Sequence, residues 1–355
     1  MSNINEILSK FNINTTVMPY GNGHINDTYI AELGEKYILQ KINTGIFTDP
    51  DGLMDNIYAV TEHLRKKIAA AGGNPDRETL TVIETKDGKR YYRDEDGSCY
   101  RMYKFIENAK SYDAVENPKQ LYNAAKAFGK FQRMLSDFPA ETLHETIPDF
   151  HDTGKRFAHL EEAIKNDACG RLKEVEREVE FALARRNEVG IIMEGIESGA
   201  VPMRVTHNDT KLNNVMLDIN TGEGVCVIDL DTVMPGSLLF DYGDALRFGA
   251  SSGAEDETDL SKIYFDLELF ESFTRGYLEE TKAVMSPREL ELLPFSAKML
   301  TYECGIRFLT DYLNGDTYFK IHREKHNLDR CRTQFKLVAD IEKKNDEMVK
   351  IIKSI

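Results

Sequence analysis

VTHNDTKLNNVMLD (205–218) and VCVIDLDTVMPG (225–236) are joined by the turn Thr221-Gly222-Glu223-Gly224. Val215-Met216-Leu217 and Val225-Cys226-Val227-Ile228 are short apolar runs on either side of that glycine turn, a pattern that predicts a β-hairpin. A hairpin brings its two ends together. His207, Asp209 and Asn214 stand before it, and Asp229 and Asp231 stand at its end. Asp209, Asn214 and Asp229 are therefore predicted to converge. One carboxylate and one carboxamide make a hard-oxygen site suited to Mg²⁺, which keeps waters and completes its shell with phosphate oxygens. The other carboxylate is left to accept a proton from a hydroxyl. A base Asp, a metal-binding Asn five residues on and a metal-binding Asp after a hairpin are the parts that phosphoryl transfer requires.

Working outward, residues ahead of this segment read as strands with one helix. TTVM at 15–18, the turn Gly21-Asn22-Gly23, Thr28 to Ala31, and Lys36 to Ile42 (KYILQKI) predict a hairpin. Leu53, Ile57, Val60, Leu64 and Ile68 recur at spacings of three and four, one face of a helix that Gly72-Gly73 stops. Thr79 to Thr85, Tyr91-Tyr92 and Tyr100 to Ile106 read as the remaining strands. From about residue 116 the pattern turns helical, with helices predicted at 121–135, 155–166, 170–186, 263–281, 287–313 and 330–353, and SSGAEDETD (251–259) reads as a mobile loop. The expectation is an α+β fold of two lobes: residues 1–108 a small β-rich, nucleotide-binding lobe, and residues 109–355 a larger, mostly helical lobe for catalysis and the acceptor.

Composition narrows the function. The chain has 355 residues, 45 Lys and Arg against 60 Asp and Glu, and a net charge of −15. That length favours two lobes over a single core. The acidic balance argues against nucleic acid as a partner, because phosphate backbones attract Lys and Arg. No apolar run suggests a membrane span, and MSNINEILSK lacks the basic and apolar regions of a secretory signal, so a cytoplasmic location is expected. Cys99, Cys169, Cys226, Cys304 and Cys331 are scattered without metal-ligand spacing, which predicts reduced thiols and no zinc site.

HNDTKLNN resembles the catalytic loop H-x-D-x-x-x-x-N of the protein-kinase-like fold, and IDLDT takes the place of its metal-binding D-F-G. LLFDYGDALRF, with Asp241, is similar to the acidic segment of the aminoglycoside phosphotransferase family. YGNGHINDTY, YILQKIN, YKFIE, THNDTKLNN, IDLDTVMPGSLLFDYGDALRFGAS and ECGIRFLTDYLNGDTYF, spanning roughly residues 15 to 345, together resemble the N-acetylhexosamine 1-kinases. The resemblance implies ATP and Mg²⁺ as cofactors and a sugar kinase that converts N-acetylglucosamine or N-acetylgalactosamine to its 1-phosphate, as a monomer or weak homodimer.

Asp209 is the candidate base, a role worth roughly 10²–10⁴-fold. Asn214 and Asp229 are the candidate metal ligands. Asp231 is read as touching metal or substrate, or as capping the next turn. His207 is read as holding the loop, and Asp241 as fixing it through backbone hydrogen bonds. Gly21, Gly23, His24 and Asn26 take the place of the nucleotide loop, where glycines let backbone N–H groups approach phosphates. The fold expects a lysine on the third strand. Alignment puts Gln40 there, charge favours Lys41, and alternation allows only one of the two to face the phosphates. Glu62 is the only glutamate on the following helix that could pair with such a lysine. Phe105 and Ile106, in YKFIE, are candidates for the hinge against adenine. Arg307 and Tyr318 are the sugar-binding candidates by resemblance, although Arg307 could instead pair with Asp311 four residues on. Thr210 and Lys211 are placed to reach the sugar or the γ-phosphate.

Other readings fail or are weaker. GASSGA (249–254) is followed at once by Glu255-Asp256-Glu257, which would repel phosphate, and no GxxxxGK[ST] occurs. DLD (229–231) as the D-x-D of a glycosyltransferase leaves Asp209 and Asn214 without a purpose. Two alternatives stay open: a kinase of choline, homoserine or an aminoglycoside, and a catalytically dead nucleotide-binding regulator.

Overall fold

The computed structural model describes residues 4–21 and 26–355; Gly23 and His24 lie outside them. The N-terminal region is a sheet with helices on both faces. Its strands are β1 (Val17–Pro19), β2 (Asp27–Leu33), β3 (Glu35–Ile42), β4 (Val82–Ile83), β5 (Tyr92–Arg93) and β6 (Cys99–Lys104). They pair antiparallel in the order β1-β2-β3-β6-β4, with β5 also on β6. Its helices are α1 (Ile4–Lys10), α2 (Pro50–Ala70) and the single turn α3 (Pro75–Glu78). The 79–85 stretch pairs only at Val82 and Ile83.

Alternation decides which side chains each face presents. Leu39, Tyr100 and Met102 pack with Ile7, Leu8 and Phe11 of α1. Ile42, Cys99 and Tyr103 point the other way, into the main core with Leu53, Ile57 and Val60 of α2. Asp49 caps α2 by accepting from the Gly52 N–H, and Pro50 opens it, a position where the missing N–H costs nothing.

Strand β7 (Ala109–Lys110) pairs with the hairpin that follows the 207–214 loop. That hairpin is β9 (Val215–Asp218) and β10 (Gly224–Val227), and beside it β8 (Arg204–Thr206) pairs with β11 (Met234–Gly236). Around these strands lie α4 (Pro118–Met134), α5 (Thr153–Asn166), α6 (Glu176–Leu183), α7 (Ile191–Glu197), α8 (Leu238–Gly249), α9 (Leu267–Thr281), α10 (Pro287–Leu313) and α11 (His326–Ser354). α10 packs on α5, α8 and α11. Among the described residues no helix is long and apolar enough to cross a membrane.

Two local expectations change. The 170–186 helix is broken into a 3₁₀ turn (Leu172–Glu174) and α6, because the Asp167 side chain accepts from the Leu172 N–H and holds the turn. The 251–259 loop is tied down: Glu255 pairs with Arg247, Asp256 with Arg323 and His326, and Ser251 bridges Phe265.

α4 and α9 approach closely through glycine. A Cβ at Gly276 would stand 2.3 Å from the Tyr122 carbonyl oxygen, and one at Gly129 would stand 2.8 Å from that of Tyr277. Neither helix backbone can yield alone. Gly276→Ala is therefore expected to destabilise the fold by about 1–3 kcal/mol, read as a lower urea midpoint. An unchanged midpoint would show that the two helices slide freely.

Candidate active site

The first turns of α8 build the site from below. Asp241 and Asp244 are three residues apart on one helical face. The buried Asp241 carboxylate accepts from the His207 N–H (2.9 Å), the Asn208 N–H (2.7 Å) and Gln132 Nε2 (2.6 Å). Burial raises its carboxyl above the ordinary range, against the pull of His207 and these donors. Asp244 accepts from the Thr210 N–H (3.1 Å) and is held by Arg247. Two acids thus fix the backbone N–H groups of residues 207, 208 and 210.

The loop is also tied sideways. Asn208 adopts a left-handed conformation (φ 64°), which Asn tolerates. Its side chain donates to the Thr232 carbonyl, and the Thr232 hydroxyl donates to the His207 carbonyl. His207, wholly buried against Phe128 and Phe131, bonds the Ile228 carbonyl through Nε2 (2.8 Å) and accepts the Asp209 N–H at Nδ1 (3.3 Å). These bonds place the ends of the hairpin side by side.

Asp209 ends up partly exposed, with Lys211 Nζ 2.9 Å from Oδ1 and Asn214 Nδ2 3.1 Å from Oδ2. Asn214 Nδ2 also donates to the Asp209 carbonyl (2.8 Å), which leaves Oδ1 as the acceptor atom of this amide. Asp229 sits in a left-handed conformation (φ 59°), a backbone strain of the kind found at functional sites. Burial first, then the charges of Asp231 and Asp209, push its carboxyl up to about 7. Lys211 is held above its ordinary range by Asp209 and Asp244, in spite of burial. Three carboxylates crowd one cleft floor, and the site gains by taking up positive charge.

The other sequence candidates divide. Gln40 lies on the cleft face of β3, and its Oε1 accepts from Arg101 Nε (3.0 Å) and Nη2 (2.9 Å). Lys41 lies on the opposite face, with Nζ over the Tyr100 ring at 5.9 Å, so strand alternation corrects its placement among nucleotide residues. Asn26 is buried, with its side chain spent on Asp231 Oδ2 (2.7 Å) and the Asn43 N–H (3.0 Å); the nucleotide-contact expectation for it is corrected accordingly. Asp231 is buried in an ion pair with Arg101, which corrects its expected contact with a sugar. The Thr210 hydroxyl is buried and donates to the Asp241 carbonyl (2.6 Å), so it too is turned from the acceptor. Gly21 is exposed in a left-handed turn (φ 73°), next to Tyr20, whose ring meets Phe105 edge-on. The Phe105 N–H is engaged by the Lys36 carbonyl, and Ile106 is buried in the core. Glu62 is on the surface beside Arg65 and does not approach Gln40.

Arg307 and Tyr318 line one cleft of about 420 Å³. Asp311 does not pair with Arg307. It accepts instead from the Thr317, Tyr318 and Phe319 N–H groups and from Asn327, holding the loop that carries Tyr318. The Arg307 guanidinium stacks between the Phe150 and Phe319 rings, and no carboxylate among the described residues lies within salt-bridge reach of it. Arg156, which sequence reasoning missed, lines the same cleft, and its guanidinium donates to the Phe150 carbonyl. His151 was missed as well. Its Nδ1 meets Glu303 (2.8 Å) and its Nε2 meets the Asn208 carbonyl (3.3 Å), which connects α10 to the 207–210 loop.

Solved structures of similar shape were found. A microcompartment-associated aminopropanol kinase aligns over 98% of each chain with a TM-score of 0.59 at 14% identity. An amicoumacin kinase in complex with AMP-PNP and Ca²⁺ aligns over 92% of this chain and 88% of its own, with a TM-score of 0.58 at 15% identity. A Plasmodium vivax ethanolamine kinase aligns over 90% and 81%, with a TM-score of 0.55 at 14% identity. Their shared shape is the kinase-like fold, with a β-sheet N-terminal region and a helical C-terminal region. The profile of the phosphotransferase enzyme family matches residues 16–278, most of the chain and all of the loop, hairpin and helix just described, and the chain belongs to that family.

Proposed function

We propose that the chain is an ATP-dependent sugar kinase that phosphorylates the anomeric hydroxyl of an N-acetylhexosamine, releasing ADP and the 1-phosphate. The observation that carries the acceptor class is the pair of guanidiniums, Arg156 and Arg307, lining one cleft with the Tyr318 phenol. Guanidinium and phenol groups donate hydrogen bonds to hydroxyl and acetamide oxygens. Glu162 and Asp311 line the same cleft, Asp311 being taken up by the 317–319 N–H groups and Asn327, so the lining carries both signs of charge, a balance that suits a neutral sugar better than the amino alcohols named for two of the similar structures.

Asp209 is positioned to orient the acceptor hydroxyl and take its proton, with the Lys211 ammonium 2.9 Å from its Oδ1. The residues present fit a divalent cation: Asn214 offers Oδ1, and Asp229 is a buried carboxyl pushed up by burial and then by the charges of Asp231 and Asp209. Asn214 and Asp229 would hold Mg²⁺, which in such sites neutralises charge on the transferring phosphate. The complex of the amicoumacin kinase with AMP-PNP and Ca²⁺ supports a nucleotide with a divalent ion here. The exposed turn at Gly21 and the Tyr20–Phe105 pair are where the nucleotide would enter.

The test is ADP release with Mg-ATP against N-acetylglucosamine, N-acetylgalactosamine, glucose, choline, ethanolamine and kanamycin, with ³¹P NMR locating the new phosphate. Turnover of an ammonium acceptor in place of the acetylated hexosamines would sink this reading. Arg307→Ala is expected to raise the acceptor KM about 10–100-fold, the worth of a hydrogen bond from a charged donor, and to leave the KM for ATP nearly unchanged. An unaltered acceptor KM would remove Arg307 from the site.

A further inference from the structure

Gln40 occupies the place where the fold expects a lysine, and Glu62 pairs with its own helix neighbour. The cation on that face comes from the next strand instead. Arg101 of β6, with its side chain 1% exposed, forms an ion pair with Asp231, 130 residues away in the 229–231 turn. Gln40 receives two of its N–H groups, and the Tyr103 ring lies beneath it at 5.3 Å. Asn26, the residue just before β2, donates to the second oxygen of Asp231. Two side chains of the N-terminal region thus meet one carboxylate of the C-terminal region, and Gln40 holds one of them.

A fully desolvated charge pair is a costly way to join two surfaces, since burying the ions offsets most of their attraction. What the pair does achieve is location. Asp231 is two residues after Asp229, in the turn Leu230–Thr232 whose left-handed entry is Asp229 itself. Holding Asp231 holds the direction in which the Asp229 carboxylate points.

We infer that Arg101 is a positioning residue for the metal-binding turn: held by Gln40, it clamps Asp231 and so aims Asp229, and this pair replaces the lysine–glutamate pair that β3 and α2 lack. The inference rests on the kinase reading above but on no particular acceptor. It also explains why glutamine is suited to the lysine's place, since only an acceptor there can hold the inner edge of the guanidinium.

The test reads metal directly, by Mn²⁺ affinity in the presence of ADP followed by electron paramagnetic resonance, beside kcat and both KM values. Side chains that orient metal ligands typically matter 10–100-fold, so Arg101→Met is expected to weaken Mn²⁺ by about that factor and to lower kcat, with the acceptor KM unmoved. That variant leaves Asp231 buried and unpaired and can unfold. The double variant Arg101→Met with Asp231→Asn removes both charges and is expected to melt near the parent yet show the same loss of Mn²⁺. Arg101→Lys keeps the charge but cannot hold Gln40 and Asp231 together, and is expected to recover only part of the affinity. If any of these variants is folded and binds Mn²⁺ with ADP as the parent does, the inference is overturned while the kinase reading stands. A parent that binds no Mn²⁺ with ADP overturns both.

Discussion

Asp209→Asn is expected to lower kcat by about three orders of magnitude, within the range assigned to a positioned base. The carboxamide keeps the size of the side chain and an oxygen for Lys211, but it cannot take a proton from the acceptor. It also loses an acceptor toward Asn214, whose Nδ2 lies 3.1 Å from Oδ2 in the parent. Nucleotide affinity is set elsewhere in the cleft and should change little. The measurement is ADP release at saturating acceptor, with nucleotide affinity by calorimetry as the control. Retention of most of the turnover with intact binding would mean that the acceptor proton leaves by another route, and Asp209 would then be reduced to an electrostatic role.

Asp241→Ala should give the largest loss of stability of any single change near the site, about 3–5 kcal/mol from three buried donors deprived of their acceptor. The donors are the His207 and Asn208 N–H groups and Gln132 Nε2. No rearrangement within the loop can satisfy the two backbone groups, because Asn208 is already fixed to Thr232 and His207 to Ile228. Urea denaturation measures the loss. A cost below about 1 kcal/mol would mean that water replaces the carboxylate, which the tight packing around His207 argues against. Activity should fall with stability here, since Asp209 depends on the same loop.

Legibility in the sequence followed the distance between partners. Asp209, Asn214 and Asp229 were readable because a short hairpin with a glycine turn brings its own ends together, and a local pattern fixes a local geometry. Asp241 was readable only through resemblance, since no rule of spacing links it to residue 207. Arg101 was invisible: its partner is 130 residues away, and an arginine in a strand carries no signal of which carboxylate it will meet. Gln40 and Lys41 could not be separated until the neighbouring strand showed which parity faces the cleft. His151 and Glu303 lay in segments that read as an unremarked loop and a core helix. The 251–259 loop was misread because its acids look solvated in sequence, whereas Arg247, Arg323 and His326 arrive from elsewhere to pair with them.

Helix α10 places Glu303 and Arg307 one turn apart, about 6 Å along its axis. The first reaches the 207–210 loop through His151, and the second faces the cleft proposed for the acceptor. Such an arrangement separates what selection must preserve from what it can vary. Glu303 is locked by a buried imidazole and by Thr153, so its turn of helix tolerates little. The Arg307 side chain meets ring faces and open cleft, and can be changed without disturbing the chemistry behind it. A scaffold of this kind lends itself to drift in acceptor choice, and a small library at positions 156, 307 and 318 is where new acceptors for this chain should be sought.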